Sequence, residues 1–322
     1  MALSLALAGC GHKTADGAGA ANPAPSGADG FTAAAAAGVL AEFDKADSAA
    51  SSAGDLTTLG TLETSPALDV STAAVRKAQV NGRTQPPFRH LEPAFALPAA
   101  GAADPSCFLV AATLQLSGGE IGQHDVSQFV RAGDGWKLSH NILASRDAVP
   151  MVGELAGKPA VVPTAAIEET RRRSITAEIF ARTTATVTPN QSLVAPSTVL
   201  DRQLAAGWSI YQQQMGTAGM KVTRALTGSE WSACGAATGT ATITFLTLYA
   251  TDTVTGTAGN RVTLPSAAPD LAGTGHRDPV QGTSVKVDRV EVFLLSVPGG
   301  AGGAVTVLGL GDAPTKVTPV EQ

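Results

Sequence analysis

Residues 126–143, VSQFVRAGDGWKLSHNIL, hold the pattern that decides the fold class. Val126–Arg131 is a strand-like run, and apolar and polar residues alternate in Trp136–Leu143, which is typical of a half-buried β-strand. Between them, residues 132–135 contain an Asp-Gly pair, which is a signal for a β-hairpin. The stretch therefore predicts two antiparallel strands. Four side chains of the second strand are expected to share one face: Trp136, Leu138, His140 and Ile142.

Helical segments precede this hairpin, and the first of them is alanine-rich with apolar residues at helical spacing. They predict three helices: Phe31–Ser52, Asp55–Leu62 and Ser71–Gln79. Pro86-Pro87 ends the helical region, because proline cannot continue a helix. Two more strand-like runs follow: Phe88–Leu97 and Cys107–Leu116. Helices followed by an antiparallel meander predict an α+β lobe over residues 31–150.

The second half of the chain repeats this order after a linker, residues 151–163. A helix is expected over Thr164–Thr186, and strands follow it: Met220–Leu226, Thr240–Ala250, Val285–Val297 and Ala304–Leu310. Cys107 and Cys234, 127 residues apart, each stand just before a core strand. The predicted fold is therefore α+β, with two tandem lobes that each have N-terminal helices followed by a curved antiparallel sheet. Chance similarity between alanine-rich segments is the alternative.

The second lobe, residues 164–314, differs from the first by an insertion. Residues 251–282 carry Thr, Gly, Pro and Ala without a clear period, which predicts an exposed loop. Residues 315–322 are expected to form a tail.

The first ten residues, MALSLALAGC, form a short apolar run that ends in Leu7-Ala8-Gly9-Cys10. This ending resembles the lipobox of bacterial lipoproteins, in which the cysteine is lipidated and becomes the mature N-terminus. The resemblance implies that the lipid on Cys10 holds the protein on the extracytoplasmic face of the cell membrane. No positive charge precedes the apolar run, so residues 1–30 are expected to hold a truncated lipoprotein signal and a flexible tether. The alternative is a frayed cytoplasmic N-terminus.

The chain as a whole is similar to uncharacterised two-lobed lipoproteins of high-GC actinobacteria. Lobes with a late strand such as Gly135-Trp136-Lys137-Leu138 resemble the nuclear-transport-factor-like and cystatin-like α+β folds. This resemblance implies a curved sheet wrapped on helices, often with a pocket. Such folds serve enzymes, carriers and scaffolds, so the fold does not decide the activity.

The chain has three cysteines, and subtracting Cys10 leaves Cys107 and Cys234. An even pair in an exported protein is consistent with a disulfide, and two buried free thiols are the alternative. No pair of cysteines has the spacing of a zinc site.

Composition excludes some classes of function. A net charge of −5 and a pI of about 5.5 disfavour a partner as acidic as nucleic acid. No run of 18 apolar residues is long enough to span a membrane. The motifs G-x-S-x-G, H-E-x-x-H and the Walker loop are also missing, so we expect no metal and no cofactor.

Few side chains stand out as candidates for a site. His140 lies on the apolar face of its strand, where a pocket would open, and is a candidate for catalysis; the alternative is a core histidine bonded to the backbone. Trp208, Tyr211 and Trp231 are candidates for lining a ligand groove, and core packing is the alternative for them.

These observations favour a non-catalytic, lipid-anchored protein of the cell envelope. Its lobes would bind a protein partner or a ligand outside the membrane. The alternatives are a carrier of a lipid or another apolar ligand, and a hydrolase or isomerase with a pocket near His140. The sequence does not indicate the oligomeric state.

Overall fold

The computed structural model describes residues 31–99, 106–117, 121–144, 148, 155, 160–184, 190–265, 268–300 and 302–321. Three helices open this part of the chain: α1 (Ala33–Ala53), α2 (Leu56–Leu62) and α3 (Ala67–Val80). Thr32 caps α1, because its hydroxyl accepts a hydrogen bond from the N–H of Ala35. The carboxylate of Asp55 caps α2 in the same way. All three predicted helices are confirmed.

An antiparallel sheet follows, with its four strands in chain order: β1 (Phe88–Ala96), β2 (Cys107–Leu116), β3 (Ile121–Ala132) and β4 (Gly135–Leu143). Ala132 pairs with Gly135 across the β3–β4 turn. Gly133 in that turn has a φ of 59°, which glycine adopts at little cost. The predicted hairpin is therefore confirmed.

The second half is also a mixture of helices and antiparallel strands. Its helices are α4 (Glu169–Thr183), α5 (Ala206–Thr217) and α6 (Pro269–Thr274). A π-helical segment, Val199–Ala205, runs directly into α5. The strands are β5 (Ala160–Pro163), β6 (Met220–Trp231), β7 (Cys234–Ala237), β8 (Ala241–Gly256), β9 (Val262–Leu264), β10 (Val280–Gly282), β11 (Ser284–Pro298) and β12 (Thr306–Val320).

Six of these strands form the second sheet. Its order is β12-β11-β8-β7-β5, and β6 pairs with β8 beside β7. Strands β9 and β10 form a separate two-stranded pair. The long strands β8 and β11 pair along their whole length, from Ser284 opposite Thr255 to Pro298 opposite Ala241. This long pair is the centre of the second half.

The two sheets face each other across one hydrophobic core. Alternation along β2 places Leu109 in this core, while its neighbour Phe108 points to the other face of the sheet. The first sheet adds Val126 and Ile142, and the second sheet adds Phe245 and Leu294. Neither half of the described chain therefore buries its sheet by itself.

Helices cover the two outer faces. Leu40 and Phe43 of α1 share a core cluster with Phe108 and Phe129 of the first sheet. On the far side, Ile175 and Ile179 of α4 share one with Leu248, Phe293 and Leu295 of the second sheet. The layers are thus helices, sheet, sheet and helices, and the predicted α+β class is confirmed, with two separate sheets.

One expectation about β4 is wrong. Trp136 and Leu138 contact the helical layer, whereas Ile142 belongs to the core between the sheets. The cause is a β-bulge, because Gln128 pairs with His140 and Phe129 pairs with Leu138. The extra residue, Ser139, moves His140 and Ile142 to the opposite face of the sheet.

The predicted loop and tail are also different in the structure. Strand β8 continues to Gly256, and β9, α6 and β10 lie within residues 257–282. The tail belongs to β12, which ends at Val320, and Ala160–Pro163 of the predicted linker pairs with β7. The sequence predicted a loop from residue 251 onward because this stretch contains many threonines. In the structure the threonines of residues 251–256 lie in strand β8, and threonine is itself a good strand former.

Residues 1–30, with the predicted signal, tether and Cys10, and residues 151–154 and 156–159 of the predicted linker lie outside the described residues. Among the residues that are described, no helix is both long and apolar enough to cross a membrane.

Candidate functional site

A cleft of about 350 Å³ lies between α5, α6 and the outer face of the second sheet. We call it the Trp208 cleft. Its apolar walls include Leu204, Met215 and Leu264. The remaining lining is unusually polar: Arg224, Asp252, Asp270, Arg289, Glu291 and Asp312. The volume is at the lower end of the range for small-molecule sites.

Strand alternation places these charges in the middle of an apolar stripe. On β11, Val287 and Phe293 point to the outer face, and Arg289 and Glu291 lie between them at the same two-residue spacing. Asp252 takes the corresponding place on β8, next to the buried Val254. The charged groups are thus held in a buried position by strands that are apolar on either side.

Arg224 on β6 holds two of the carboxylates. Its Nε donates to Oδ1 of Asp252 at 2.6 Å and its Nη2 to Oδ2 at 2.8 Å, so the contact is bidentate. Its Nη1 donates to Oε1 of Glu291 at 2.5 Å. The guanidinium also lies 4.4 Å from the centre of the Trp208 ring, within the range of a cation–π contact.

Arg289 on β11 holds the other carboxylates. Its Nη1 donates to Oδ1 of Asp270 at 2.5 Å. Its Nε donates to Oδ1 of Asp312 at 3.1 Å, and its Nη2 donates to the second oxygen of the same group. Oδ2 of Asp252 is 3.9 Å from its Nε, which connects the two arginines into one network.

The network has an excess of negative charge. Two guanidinium groups face four carboxyl groups, so two negative charges remain when all are ionised. Burial raises the pKa of Glu291 to about 7, against the opposing charge of Arg224. Near neutral pH, Glu291 is therefore the group of this network whose charge is easiest to change.

Three buried polar atoms of the cleft residues have no hydrogen-bond partner: Nε1 of Trp208, OH of Tyr211 and Oε2 of Glu291. Trp208 is only 5% exposed and Glu291 only 1% exposed. An unsatisfied buried polar group costs about 1–3 kcal/mol, so such groups are uncommon unless a ligand or water completes them. The cleft therefore has the features of a binding site.

The structure brings together two of the three predicted aromatic candidates. Trp208 and Tyr211, three residues apart on α5, have ring centroids 5.8 Å apart and both line the cleft. Trp231 lies elsewhere, against the hydrophobic cluster under α4, where its Nε1 donates to Oγ1 of Thr176 at 3.1 Å.

Sequence reasoning missed the charged residues of the cleft. Their signal was present in β11, where Arg289 and Glu291 occupy positions of an otherwise buried stripe. This signal indicates a site only together with the tertiary structure, in which Arg224 and Asp252 pair directly across β6 and β8. That pairing joins residues from distant parts of the chain.

His140 lies in the core between the sheets rather than at a cleft. Its ring stacks on Phe245 with centroids 4.8 Å apart, and it is 6% exposed. Nδ1 is 3.0 Å from Oγ of Ser139, and Nε2 is 3.5 Å from Oγ1 of Thr247. Burial lowers its pKa to about 3, so the ring is neutral at pH 7. These contacts describe a packed core histidine.

A second cluster of titratable groups lies between α1 and the first sheet. His90 is held at Nδ1 by Asp44 at 2.6 Å and at Nε2 by Asp125 at 3.0 Å. Burial opposes its charge, but the hydrogen bonds and charges of Asp125 and Asp44 raise the pKa of His90 to about 10. His90 is therefore a cation clamped between two acids, and both of its ring nitrogens are already bonded.

A buried carboxyl pair lines a smaller pocket of about 210 Å³. Oε1 of Glu63 accepts a hydrogen bond from Oγ of Ser71 at 3.0 Å, and its carboxyl group interacts with that of Asp47. Burial and the charge of Asp47 raise the pKa of Glu63 to about 8, and burial raises the pKa of Asp47 to about 6. One proton shared between the two carboxyl groups explains how two acids can be buried side by side.

The two cysteines of the globular part form a disulfide that joins the sheets. Cys107 begins β2 and Cys234 begins β7, with Cα atoms 6.8 Å apart. Cys10 lies outside the described residues. Within the described part of the chain, no group of three or more His, Cys, Asp or Glu side chains is arranged to hold a metal ion.

Comparison with known proteins finds a family that is similar to part of the chain. No curated protein and no solved structure matches it. Residues 29–156, about two fifths of the chain, match the family described as Domain of unknown function (DUF8094). The matched stretch contains α1–α3 and the first sheet, with the His90 cluster and the Asp47–Glu63 pair, whereas the Trp208 cleft lies beyond it.

Proposed function

We propose that this protein is a lipid-anchored component of the cell envelope that binds a small polar ligand in the Trp208 cleft, outside the membrane, without catalysing its conversion. The single observation that carries the binding role is that three residues lining one cleft each have a buried polar atom without a partner: Trp208, Tyr211 and Glu291. A ligand with matching donors and acceptors removes their cost.

The charged network supports binding rather than catalysis. Each guanidinium in the cleft is already paired with carboxylates, as in Arg224 with Asp252, so the charges hold one another in place. A catalytic site needs two or more reactive groups that converge on one reacting atom, whereas Oε2 of Glu291 is the one buried carboxylate oxygen of this network without a partner. His140, the catalytic candidate, is enclosed in the core. The buried charges also make the cleft unsuited to a lipid chain.

The membrane anchor rests on the lipobox-like ending Leu7-Ala8-Gly9-Cys10. A lipid on Cys10 would tether the globular part through the Gly/Ala-rich residues that follow. The anchor and the cleft are independent parts of the proposal, and each has its own test.

Duplication of one structural plan is a further part of the proposal. Strands β6, β8, β11 and β12 pair in the same successive antiparallel order as β1–β4. Cys234 precedes β8, and Cys107 begins the corresponding strand β2. Helices cover the outer face of each sheet. These correspondences support two tandem copies that pack sheet to sheet.

Native mass spectrometry of the protein released from its own envelope tests the lipid anchor and the bound ligand. We expect an acyl mass on Cys10 and a small polar molecule that stays bound in the globular part. Cys10→Ala is expected to leave the membrane fraction, whereas His12→Ala, a change in the tether, stays with it. An unmodified Cys10 contradicts the anchor, and a bound lipid contradicts the polar ligand.

A further inference from the structure

The Trp208 cleft also indicates which chemical class of ligand it accepts, and this inference rests on the proposed binding function. We infer that the cleft takes a small organic cation, a protonated amine that also carries a hydroxyl or carbonyl oxygen, with the ammonium group at Glu291 and the oxygen at Nε1 of Trp208.

The first argument for a cationic ligand is the charge of the cleft. Four carboxyl groups face two guanidinium groups, so the network is anionic even after its internal pairs are formed. Asp312 is partly exposed, but the other five groups are buried or nearly so, where water screens charge poorly. A cation is therefore attracted, and an anion such as a phosphate is repelled.

The unpartnered atoms carry the second step. Oε2 of Glu291 is only an acceptor when ionised, and it needs a donor such as an ammonium N–H. Nε1 of Trp208 is only a donor, and it needs an oxygen. The OH of Tyr211 can serve as either. Together these atoms fit a ligand that has a cationic donor and a neutral acceptor.

The third argument concerns the walls of the cleft, which decide what the rest of the ligand can contact. Leu204, Met215 and Leu264 are apolar, so the carbon skeleton of the ligand has a surface to contact. The face of Trp208 is covered by Arg224, which lies 4.4 Å from the ring centre. Stacking of a sugar or a base on that face is therefore blocked, whereas the indole N–H has no partner within the protein.

Protonation gives the inference a quantitative consequence. The charged and titratable groups around Glu291 are Arg224 on β6, Asp252 on β8, Arg289 on β11, Asp270 on α6, Asp312 on β12 and Tyr211 on α5. The pKa of Glu291 is about 7 in the absence of a ligand. A bound cation lowers it, so Glu291 releases a proton on binding. Affinity for the amine therefore increases from pH 6 to pH 8.

Isothermal titration calorimetry on the full chain tests the inference with matched probes. Three amines are compared with the alcohols that differ from them only by a hydroxyl in place of the ammonium group: glucamine with sorbitol, ethanolamine with ethylene glycol, and tyramine with tyrosol. We expect at least one amine to bind about tenfold tighter than its alcohol, as a charged hydrogen bond provides. Repeating the titration in buffers of different ionisation enthalpy gives the number of protons released.

Variants assign the preference to the cleft. Glu291→Gln is expected to remove both the preference for the amine and its pH dependence. Trp208→Phe keeps an aromatic ring but removes the indole N–H, so it weakens both members of a pair equally. Glu230→Gln and Trp231→Phe change the same residue types outside the cleft and should leave binding unchanged. The proton count on the unmodified protein needs no variant, so a Glu291→Gln protein that does not fold leaves the test intact.

The outcomes separate this inference from the proposed function. Equal or tighter binding of the alcohols, with sensitivity to Trp208→Phe, overturns the cationic ligand and leaves the binding function standing. Binding of an amine without proton release overturns the role of Glu291. If no probe binds and the protein from its envelope retains no small molecule, both proposals are wrong.

Discussion

At the scale of single residues, the carboxyl pair of Asp47 and Glu63 shows how burial decides protonation. Both acids have a pKa above the usual value because burial disfavours the charged form. At about pH 2 both acids are protonated in the folded and the unfolded chain, so they contribute nothing to the pH dependence of stability. As the pH rises toward 8, the unfolded chain loses these protons first, and the folded state becomes less stable.

Glu63→Gln is expected to remove most of this pH dependence. The glutamine amide can donate to Asp47 as the protonated acid does, but it does not titrate. Urea unfolding should show the variant to be about 2 kcal/mol more stable than the natural protein at pH 8 and nearly equal to it at pH 4. Glu42→Gln, at an exposed position of α1, the helix that carries Asp47, is the control and should leave the profile unchanged. A variant that is less stable at pH 8 would mean that the Glu63 carboxylate is needed in its ionised form.

His90 illustrates what sequence can miss at this scale. Its two partners, Asp44 on α1 and Asp125 on β3, lie 46 and 35 residues away. No local pattern joins the three residues. Only the packing of α1 on the first sheet places the imidazole between the two acids.

At the scale of elements, the close contact of β4 with β12 determines how the sheets meet. Ala144, just after β4, forms a bridge with Gly309 of β12. A Cβ atom on Gly309 would lie 2.6 Å from Cγ2 of Ile142 and 2.7 Å from the carbonyl oxygen of Leu143. The absence of a side chain at this position therefore allows the two backbones to approach.

Gly309→Ala is expected to destabilise the protein by about 1–3 kcal/mol, because the strands must move apart to accept the methyl group. Chemical denaturation measures the loss. Gly302→Ala adds the same methyl group where no atom lies within 4 Å, so its stability should be close to that of the natural protein. An equal loss in both variants would show that the cost comes from backbone conformation instead of contact with β4.

At the scale of the whole molecule, several contacts connect the two halves. The Cys107–Cys234 disulfide joins β2 to β7, and Nε2 of Gln128 donates to the carbonyl oxygen of Cys234 at 2.9 Å. His140 of the first sheet stacks on Phe245 of the second. With one core between the sheets, we expect the halves to unfold together in a single transition.

Replacing both Cys107 and Cys234 by alanine is expected to lower the stability by about 2–5 kcal/mol, since the disulfide closes a long loop in the unfolded chain. Urea unfolding followed by circular dichroism and tryptophan fluorescence measures this loss. The natural protein treated with a reductant should behave like the double variant. Two separate transitions, with only one affected by the replacement, would contradict the shared core.

Local patterns predicted many elements but not their neighbours. The helices α1–α3 and the β3–β4 hairpin follow from caps, helical spacing and an Asp-Gly turn, all of which act within a few residues. Side-chain alternation predicted the wrong face for His140 and Ile142. The bulge at Ser139 that changes their face depends on the partner strand β3 and not on β4 alone. The prediction also ended β8 too early, at Ala250. Its threonine-rich end is a strand because it pairs with β6 and β11.

The sequence by itself determined the α+β class, the order of helices before strands, and the two aromatic residues of the cleft as candidates. It could do so because propensity, turn chemistry and side-chain periodicity are local properties. Only the tertiary structure decided that the two sheets share a core, that His140 lies within it, and that Arg224, Asp252 and Glu291 form one buried network beside Trp208. These features depend on strand register and sheet packing, which bring together residues that are distant along the chain.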